Sequence, residues 1–166
     1  MLKKSRFCVP ILMAACLLLG IAVSSGICKE NEIDAVLTSA ETFFKALKDK
    51  KYVQTWSLLS AKSKDTIIND IYRETGSSGM VYTKEQIASD MNAGGMIAAG
   101  YWKGILESFD PRIVLENSQW DIGYIREREA EIKITQKKST NPARLHMFKE
   151  NGGWKVGLVE TFWSRK

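Results

Sequence analysis

Glu160 is the residue whose position most suggests acid–base chemistry. It follows Trp154, Val156 and Leu158 at alternate positions, so an unbroken strand would direct its carboxyl group into an apolar interior. Burial there would raise its pKa, because a low-dielectric environment disfavours the charged form, and the group could then donate or accept a proton. Two other placements are favoured: a bulge near Val159 that exchanges the faces of the strand, or a position at a wet rim.

The remaining reactive side chains give weaker evidence of catalysis than Glu160 does. His146 alternates with Leu145 and Met147, which we place inside, so its imidazole is expected to face solvent rather than act as a base. Asp121 lies beside Trp120 in an expected turn, where aspartate more often forms the turn than catalyses. Without a second histidine or a cysteine inside the fold, neither a His/Cys metal site nor a Cys-His nucleophile is supported, and no cofactor is expected.

A set of aromatic residues could line a ligand pocket. Its members are Trp56, Tyr72, Tyr101, Trp102, Trp120 and Trp154. They recur at helical or strand spacings, which are first of all the spacings of core residues, so each is favoured as a core residue. The partner that such a set would suit is an apolar small molecule or a protein.

The amino terminus has the pattern of an export signal. Three basic residues open it: Lys3, Lys4 and Arg6. A mostly apolar run follows at residues 7–28. Cleavage among the small residues at 22–26 is the favoured outcome. An uncleaved anchor across a bilayer of about 30 Å is the second, and lipid attachment at Cys28 is the third, because Ile27 stands where that processing requires a small residue.

Export also changes how charge and cysteine content are interpreted. The formal charge of +5 falls to about +2 once the three basic residues of the signal are removed. No basic tract with interleaved aromatics remains, so nucleic acid is not an expected partner. Cys28 would be the one cysteine left, so no intrachain disulfide can form. The expected location is periplasmic or secreted, with attachment to the inner membrane as the alternative.

Apolar residues recur at spacings of three and four over most of the amino-terminal half of the domain, which predicts a series of helices. The apolar face of the first extends from Ile33 to Leu47, and a short second helix follows at residues 52–59. Ser60 is expected to cap a third helix whose buried face includes Tyr72.

Two further helices are predicted beyond a glycine-rich loop. Thr83 and Gln86 have the spacing of a capping box, which begins the fourth helix. Pro111 is expected to end the fifth. Gly100 and Gly104 lie one turn apart on that helix and indicate close packing against a neighbouring element.

After Pro111 the apolar period changes from helical to alternating, which predicts strands with one wet face. The apolar positions are Ile113, Leu115, Trp120, Ile122, Ala130, Ile132 and Ile134, and the polar residues between them include Glu129, Glu131 and Lys133. A closing hairpin is predicted from Arg144 to Trp163 about the Asn-Gly-Gly turn at residues 151–153. Helices followed by an antiparallel meander predict a single α+β domain at residues 28–166, after the signal or anchor at 1–27.

Three stretches carry a family resemblance: Glu41-Thr42-Phe43-Phe44-Lys45-Ala46-Leu47, then Tyr52 with Trp56-Ser57-Leu58-Leu59-Ser60, and Asn151-Gly152-Gly153-Trp154-Lys155-Val156. They resemble the nuclear-transport-factor-2-like superfamily, in particular its small exported bacterial members. The resemblance implies helices in the concave side of a strongly curved sheet, forming a cone that is often open to a pocket. Members include isomerases, dehydratases, polyketide cyclases and secretion-machinery subunits, so the fold alone does not carry a function across.

Three functions are therefore expected, in this order. The first is an exported binding or interaction domain with an apolar cone pocket and no catalysis. The second is a cofactor-free isomerase, dehydratase or cyclase that works through an interior Glu160. The third is an anchored subunit of an envelope assembly. A homodimer is compatible with all three.

Overall fold

The structure, a computed structural model, describes residues 24–77, 79, 81–137 and 139–162. The chain divides into two compact units, Met1–Glu32 and Ile33–Lys166. The predicted export signal or anchor at residues 1–27 lies mostly outside the described residues. Within the described part, no helix combines the length and the apolar character that crossing a bilayer requires.

Helices precede strands along the described chain, as the sequence predicts for an α+β domain. The elements are α1 Ser24–Lys48, α2 Tyr52–Ser57, α3 Ala61–Ser77, α4 Lys84–Ala93, α5 Met96–Ser108, α6 Pro111–Glu116, β1 Ser118–Ile125, β2 Glu129–Gln136, β3 Ala143–Glu150, β4 Gly153–Gly157 and α7 Leu158–Phe162. The α+β class is confirmed: the strands form one open, antiparallel sheet in the order β1-β2-β3-β4.

One face of the sheet and the helices share a single apolar core. Its fully buried members include Val36, Ala40 and Phe43 of α1, Ile87 and Met91 of α4, Trp102 of α5, and Ile132, Leu145, Met147 and Val156 of the strands. The alternation predicted for β2, β3 and β4 places these strand residues on the inner face, and their burial confirms it. Burying such side chains contributes about 1.5–3 kcal/mol each, which is the main source of stability for a domain of this size.

Hydrogen bonds to the main chain of β4 tie the helical layer to the sheet. The Ser39 hydroxyl donates a 2.6 Å hydrogen bond to the carbonyl oxygen of Trp154. The N–H of Ser60 donates to Val156, and the N–H of Val156 donates to Leu58, so the segment between α2 and α3 adds a parallel bridge to the edge of the sheet. This bridge satisfies edge groups that would otherwise remain without backbone partners.

The caps predicted at Thr83 and Ser60 and the predicted hairpin turn are confirmed. Thr83 accepts from the Gln86 N–H while the Gln86 side chain accepts from the Thr83 N–H, which is the reciprocal capping box. The Ser60 hydroxyl accepts from the N–H of Ser63 at the start of α3. Asn151 and Gly152 adopt φ values of 51° and 79°, the left-handed conformation that a tight two-residue hairpin requires.

The predicted strand at Ile113 and Leu115 is wrong, because these residues lie in α6. Asp110 accepts from the Arg112 N–H, and Pro111 occupies the first helical position, where its missing N–H costs nothing. Ile113 and Leu115 are separated by one residue, a spacing that fits a short helix as well as a strand, so it does not discriminate between the two. The proline therefore begins a helix in addition to following the end of α5 at Ser108.

Three residue-level expectations are also corrected. Asp121 lies in β1, opposite Lys133, and not in a turn. Gly100 and Gly104 are exposed, and a Cβ at either would meet nothing within 4 Å, so they do not mediate close packing. They lie away from the buried side of α5, which is formed by Ala98 and Trp102.

The closing strand is shorter than predicted, because β4 ends at Gly157 and α7 begins at Leu158. The Thr161 hydroxyl accepts from the His146 N–H at 3.0 Å and donates to the Gly157 carbonyl at 2.6 Å. It thus replaces the next bond of the β3–β4 ladder at the point where the two strands separate. A Cβ at Gly157 would lie 2.5 Å from the Phe148 ring, so the last strand position requires glycine.

We expect Thr161→Val to lower the free energy of unfolding by about 1–3 kcal/mol, because it leaves the part-buried His146 N–H and the buried Gly157 carbonyl without their partner. Thr135→Val, the same change within β2, is the control and should stay within about 0.5 kcal/mol of the parent. Urea unfolding monitored by circular dichroism measures both. Equal effects would mean that Thr161 does not hold the strand end.

Candidate functional site

An apolar cavity of about 170 Å³ lies among α1, α5 and α7. The residues that line it are Phe43, Phe44, Leu47, Trp102, Ile105, Ser108, Phe109, Leu158 and Phe162. Phe162 is 51 % exposed, so the cavity reaches the surface beside its ring. Ser108 contributes a hydroxyl, and the wall contains no carboxylate, imidazole or ammonium group.

Ring contacts hold the aromatic wall of this cavity in place. The Phe43 and Phe44 rings meet edge-on at 5.2 Å between centroids, and Phe43 meets Trp102 edge-on at 6.4 Å. Phe44 also packs against Phe109 at 6.0 Å. Such edge-to-face pairs contribute about 0.5–1.5 kcal/mol beyond the area that they bury, so the wall is preformed.

Trp102 has a polar group that the fold leaves unused. The residue is fully buried, and its indole Nε1 makes no hydrogen bond to any residue that the structure describes. Trp102 contributes to the cavity wall, but its Nε1 is itself buried, so the cavity does not expose this donor. Most buried polar groups in folded proteins do find partners, which makes this exception a feature to explain.

The other predicted aromatic residues lie elsewhere. Trp56 is a core residue whose Nε1–H donates to Asn92 Oδ1 at 3.0 Å, and Trp154 is buried in the sheet with the Lys149 ammonium 5.7 Å from its ring centroid. Trp120 is half-buried against Phe44 and donates from Nε1 to the Val114 carbonyl. The structure therefore does not bring these three together around the apolar cavity, although Phe44 is shared with Trp120.

Tyr72 and Tyr101 also lie away from the cavity wall. Tyr72 was expected on the buried face of α3, and that is wrong, because it is 44 % exposed with the Lys84 ammonium 5.5 Å from its ring. Tyr101 lies in a surface groove with Asp70 and packs edge-on against Trp102. Its hydroxyl is buried without a hydrogen bond to the described residues. Burial, with a smaller contribution from Asp70, raises the pKa of Tyr101 well above its ordinary value of 10.

Glu160 lies in α7 and is half-buried, so it is neither on a strand nor deep in the core. Its Oε1 accepts from the Ser60 hydroxyl at 2.9 Å, and its Oε2 accepts from the Ser63 hydroxyl at 2.6 Å. The Ser63 hydroxyl also accepts from the Val159 N–H. These bonds fasten α7 to the amino-terminal end of α3, where a negative charge suits the helix dipole. Glu160 thereby positions Leu158 and Phe162, which line the cavity.

A second polar group lies on the outer face of the sheet. Tyr124, Glu131 and His146 are neighbours across β1, β2 and β3. Glu131 lies on the outer face, as its alternation with Ile132 predicts, but the expectation that it is exposed to water is wrong, because it is 5 % exposed; its Oε2 is 3.5 Å from Arg144 Nη1. His146 is on the outer face, as its alternation with Leu145 predicts, and is half-buried.

Gly123 is the sequence signal that could have located Glu131. It lies at the irregularity in β1, between Ile122 and Tyr124, and a Cβ there would lie 2.5 Å from Glu131 Oε1. A glycine inside a strand often marks such a bulge or close approach. In the described part of the chain no three His, Cys, Asp or Glu side chains are grouped so as to hold a metal ion.

Comparisons with models of protein families, with curated proteins and with solved structures found no match for this chain. Two features of the structure are therefore candidates for a functional site: the apolar cavity and the row of Tyr124, Glu131 and His146 on the outer face of the sheet. The cavity is the better candidate site, because its wall is continuous, largely apolar and open at one end.

We expect Glu160→Ala to lower the free energy of unfolding by about 2 kcal/mol, because it leaves the buried hydroxyls of Ser60 and Ser63 without their acceptor. The matched control is Glu107→Ala, which removes an exposed carboxylate from α5 and should change stability by less than about 0.5 kcal/mol. Urea titration measures both variants. If the two lost the same amount, Glu160 would not fasten α7.

Tyr101→Phe should stabilise the protein at neutral pH by about 1 kcal/mol, because it removes a buried hydroxyl that lacks a partner. The raised pKa of Tyr101 keeps the folded form protonated while the unfolded form ionises above pH 10, so the hydroxyl lowers the free energy of unfolding further as pH rises above that value. Wild type should therefore lose up to about 1.4 kcal/mol per pH unit more than Tyr101→Phe in that range.

The control for this change is Tyr72→Phe, which removes an exposed phenol. The free energy of unfolding is measured between pH 7 and pH 11 for all three proteins. Its fall with pH should be parallel for Tyr72→Phe and wild type, and less steep for Tyr101→Phe. Parallel curves for all three proteins would contradict the assignment.

Proposed function

We propose that this chain is an exported binding domain whose apolar cavity holds a small apolar molecule, and that it does not catalyse a reaction. The observation that carries the proposal is the wall itself: eight of its nine residues are apolar or aromatic, and they surround about 170 Å³. Sites for small molecules are typically concave, mostly apolar and equipped with few polar groups, which describes this cavity.

The size of the cavity limits the ligand. A cavity of about 150 Å³ lined by Leu, Ile and Phe is large enough to bind benzene. The ligand proposed here is therefore of single-ring size. The half-exposed ring of Phe162 at the surface end is the group that such a ligand would pass on entry.

The proposal includes export and the cone-shaped nuclear-transport-factor-2-like arrangement. Export is supported by the basic and then apolar pattern of the amino terminus. The arrangement is supported by the order of elements, in which five helices of the described chain precede a short α6 and an antiparallel four-stranded meander. The cavity wall, however, consists of helical and inter-helical residues and includes none from β1 to β4.

Catalysis through Glu160 has less support. Its two carboxylate oxygens accept hydrogen bonds from Ser60 and Ser63, and Glu160 is not part of the cavity wall. A general base must reach the proton that it removes from a bound substrate, and this carboxylate is engaged outside the cavity. Its role in the proposal is to hold α7 in place.

Binding of toluene to the purified chain tests the proposal. At a toluene concentration of about 100 Kd, binding to the folded state alone should raise the free energy of unfolding by about 2.7 kcal/mol. Ile105→Phe adds volume inside the cavity and should weaken toluene binding at least tenfold, which corresponds to about 1.4 kcal/mol.

The matched control is Leu106→Phe, which makes a similar enlargement at the next residue of α5, outside the cavity wall. It should leave the toluene Kd within about twofold of wild type. Isothermal titration calorimetry measures all three proteins. The proposal is wrong if wild type shows no uptake of toluene, or if Ile105→Phe binds toluene as tightly as Leu106→Phe.

A further inference from the structure

A surface groove, called here the basic groove, lies where α1 is followed by α2. The residues that line it are Lys50, Lys51, Tyr52, Val53, Gln54, Ser57 and Gly94. Two more ammonium groups lie beside it. Lys155 donates from Nζ to the Ser57 carbonyl at 2.8 Å, and Lys64 Nζ is 5.8 Å from the ring centroid of Trp56, the residue before Ser57. Lysines from three parts of the chain therefore meet around this groove.

The positive charge of the basic groove is only partly compensated. Lys51 Nζ lies 3.8 Å from the Asp49 carboxylate. Burial and then the Lys155 ammonium lower the pKa of Lys64, and Glu150 acts in the opposite direction. Within the part of the chain that the structure describes, neither Lys50 nor Lys155 forms an ion pair. Four ammonium groups thus share two nearby carboxylates, which leaves an excess of positive charge.

Lys50 also occupies a backbone position that favours glycine. Its φ is 55°, in the left-handed region. Its N–H donates to the Leu47 carbonyl while the N–H of Lys51 donates to the Ala46 carbonyl, which is the Schellman ending of α1. Glycine would avoid the strain, and Lys48 already places a cation in the last turn of α1, where it suits the helix dipole. The strained position therefore points to a role for the Lys50 ammonium itself.

Two exposed apolar side chains border the same groove. Val53 is 50 % exposed and Met96 is 86 % exposed. A Cβ at Gly94 would lie 2.8 Å from Val53 Cγ2, so Val53 covers Gly94, two residues before Met96. Single exposed apolar residues are common on protein surfaces. Here they adjoin ammonium groups, and that combination of apolar contact with positive charge is how proteins bind an anionic lipid surface.

We propose that the basic groove binds the headgroups of anionic phospholipids, and that Val53 and Met96 enter the boundary between headgroups and acyl chains. Charge complementarity selects an anionic lipid over a neutral one. The exposed apolar side chains favour a lipid surface over a soluble anion, and the export pattern of the amino terminus brings the chain to a bilayer. The proposal does not depend on the apolar cavity.

The test compares vesicles of phosphatidylcholine with vesicles that also contain phosphatidylglycerol. The chain, purified from cells that export it, should bind the anionic vesicles more tightly, and added salt should weaken that binding because ions screen the charges. Lys50→Gly should weaken it about fivefold, since a lysine near an anionic surface contributes about 1 kcal/mol. Because glycine suits the positive φ of this position, the variant should unfold at no lower urea concentration than wild type.

The matched control is Lys137→Gly, which removes the same charge from an exposed residue that follows β2 and lies outside the basic groove. Its Kd for the anionic vesicles should stay within about twofold of wild type. Co-sedimentation measures all three proteins. An amino-terminal segment that remained on the chain would contribute equally to each, so its effect cancels in the ratios of the Kd values.

A measurement on wild type locates the contact without any variant. Peroxide converts exposed methionine to the sulfoxide, so Met96 should be oxidised readily in the free chain. Anionic vesicles should slow this oxidation at least about threefold, and neutral vesicles should slow it much less, because only a bound lipid surface covers the side chain. Mass spectrometry of the peptide that contains Met96 measures the rate.

Three results would overturn the proposal. They are equal affinity of wild type for the two kinds of vesicle, equal losses from Lys50→Gly and Lys137→Gly, and unchanged oxidation of Met96 on the anionic vesicles. Titration with polyglutamate tests the other occupant. If polyglutamate binds in a manner that requires Lys50 and the anionic vesicles do not bind, the basic groove recognises an acidic protein and the lipid proposal is wrong.

Discussion

The contact on which the cavity depends is the one between the Glu160 carboxylate and the hydroxyls of Ser60 and Ser63. It joins residues about a hundred positions apart and turns the end of the chain back over the helices. Further contacts of α7 are the hydrogen bond from the Val159 N–H to the Ser63 hydroxyl, the hydrogen bonds of Thr161, and the buried apolar side chains of Leu158 and Val159. Since Leu158 and Phe162 line the cavity, the polar contact outside the cavity determines the shape of the apolar space inside it.

The sheet supplies two faces with different roles. Its inner face completes the apolar core, and its outer face carries the row of Tyr124, Glu131 and His146. The carboxylate of Glu131 is accommodated by the absence of a side chain at Gly123 and lies near the guanidinium of Arg144. A charge removed from water requires such compensation, so this row is best understood as part of the structure of the sheet.

Most proteins pair their buried polar groups and pack their cores well, and exceptions to this tend to occur at functional sites. Here the buried caps, the hairpin turn and the strand ends are satisfied by hydrogen bonds, whereas the indole of Trp102 and the hydroxyl of Tyr101 have no partner among the described residues. Trp102 belongs to the wall of the apolar cavity, and Tyr101 packs edge-on against Trp102 but is not part of that wall. The reason to treat the cavity as a binding site is therefore its own form, an aromatic wall held by ring contacts and open at one end.

Local chemistry in the sequence determined the α+β class, the helices with their caps at Ser60 and Thr83, and the turn at Asn151, because spacing, capping and turn preferences act between residues close in the chain. The same signals could not separate a two-residue alternation from one turn of helix, so they misassigned Ile113 and extended β4 past Gly157. The aromatic residues were recognised, and Trp102 was among the candidates. Only the tertiary structure decided that Trp102 meets Phe43 and Phe162 around one cavity, that Glu160 meets Ser60 outside it, and that Glu131 is buried. Those relations join residues far apart in sequence, and their geometry depends on how the helices and the sheet pack together.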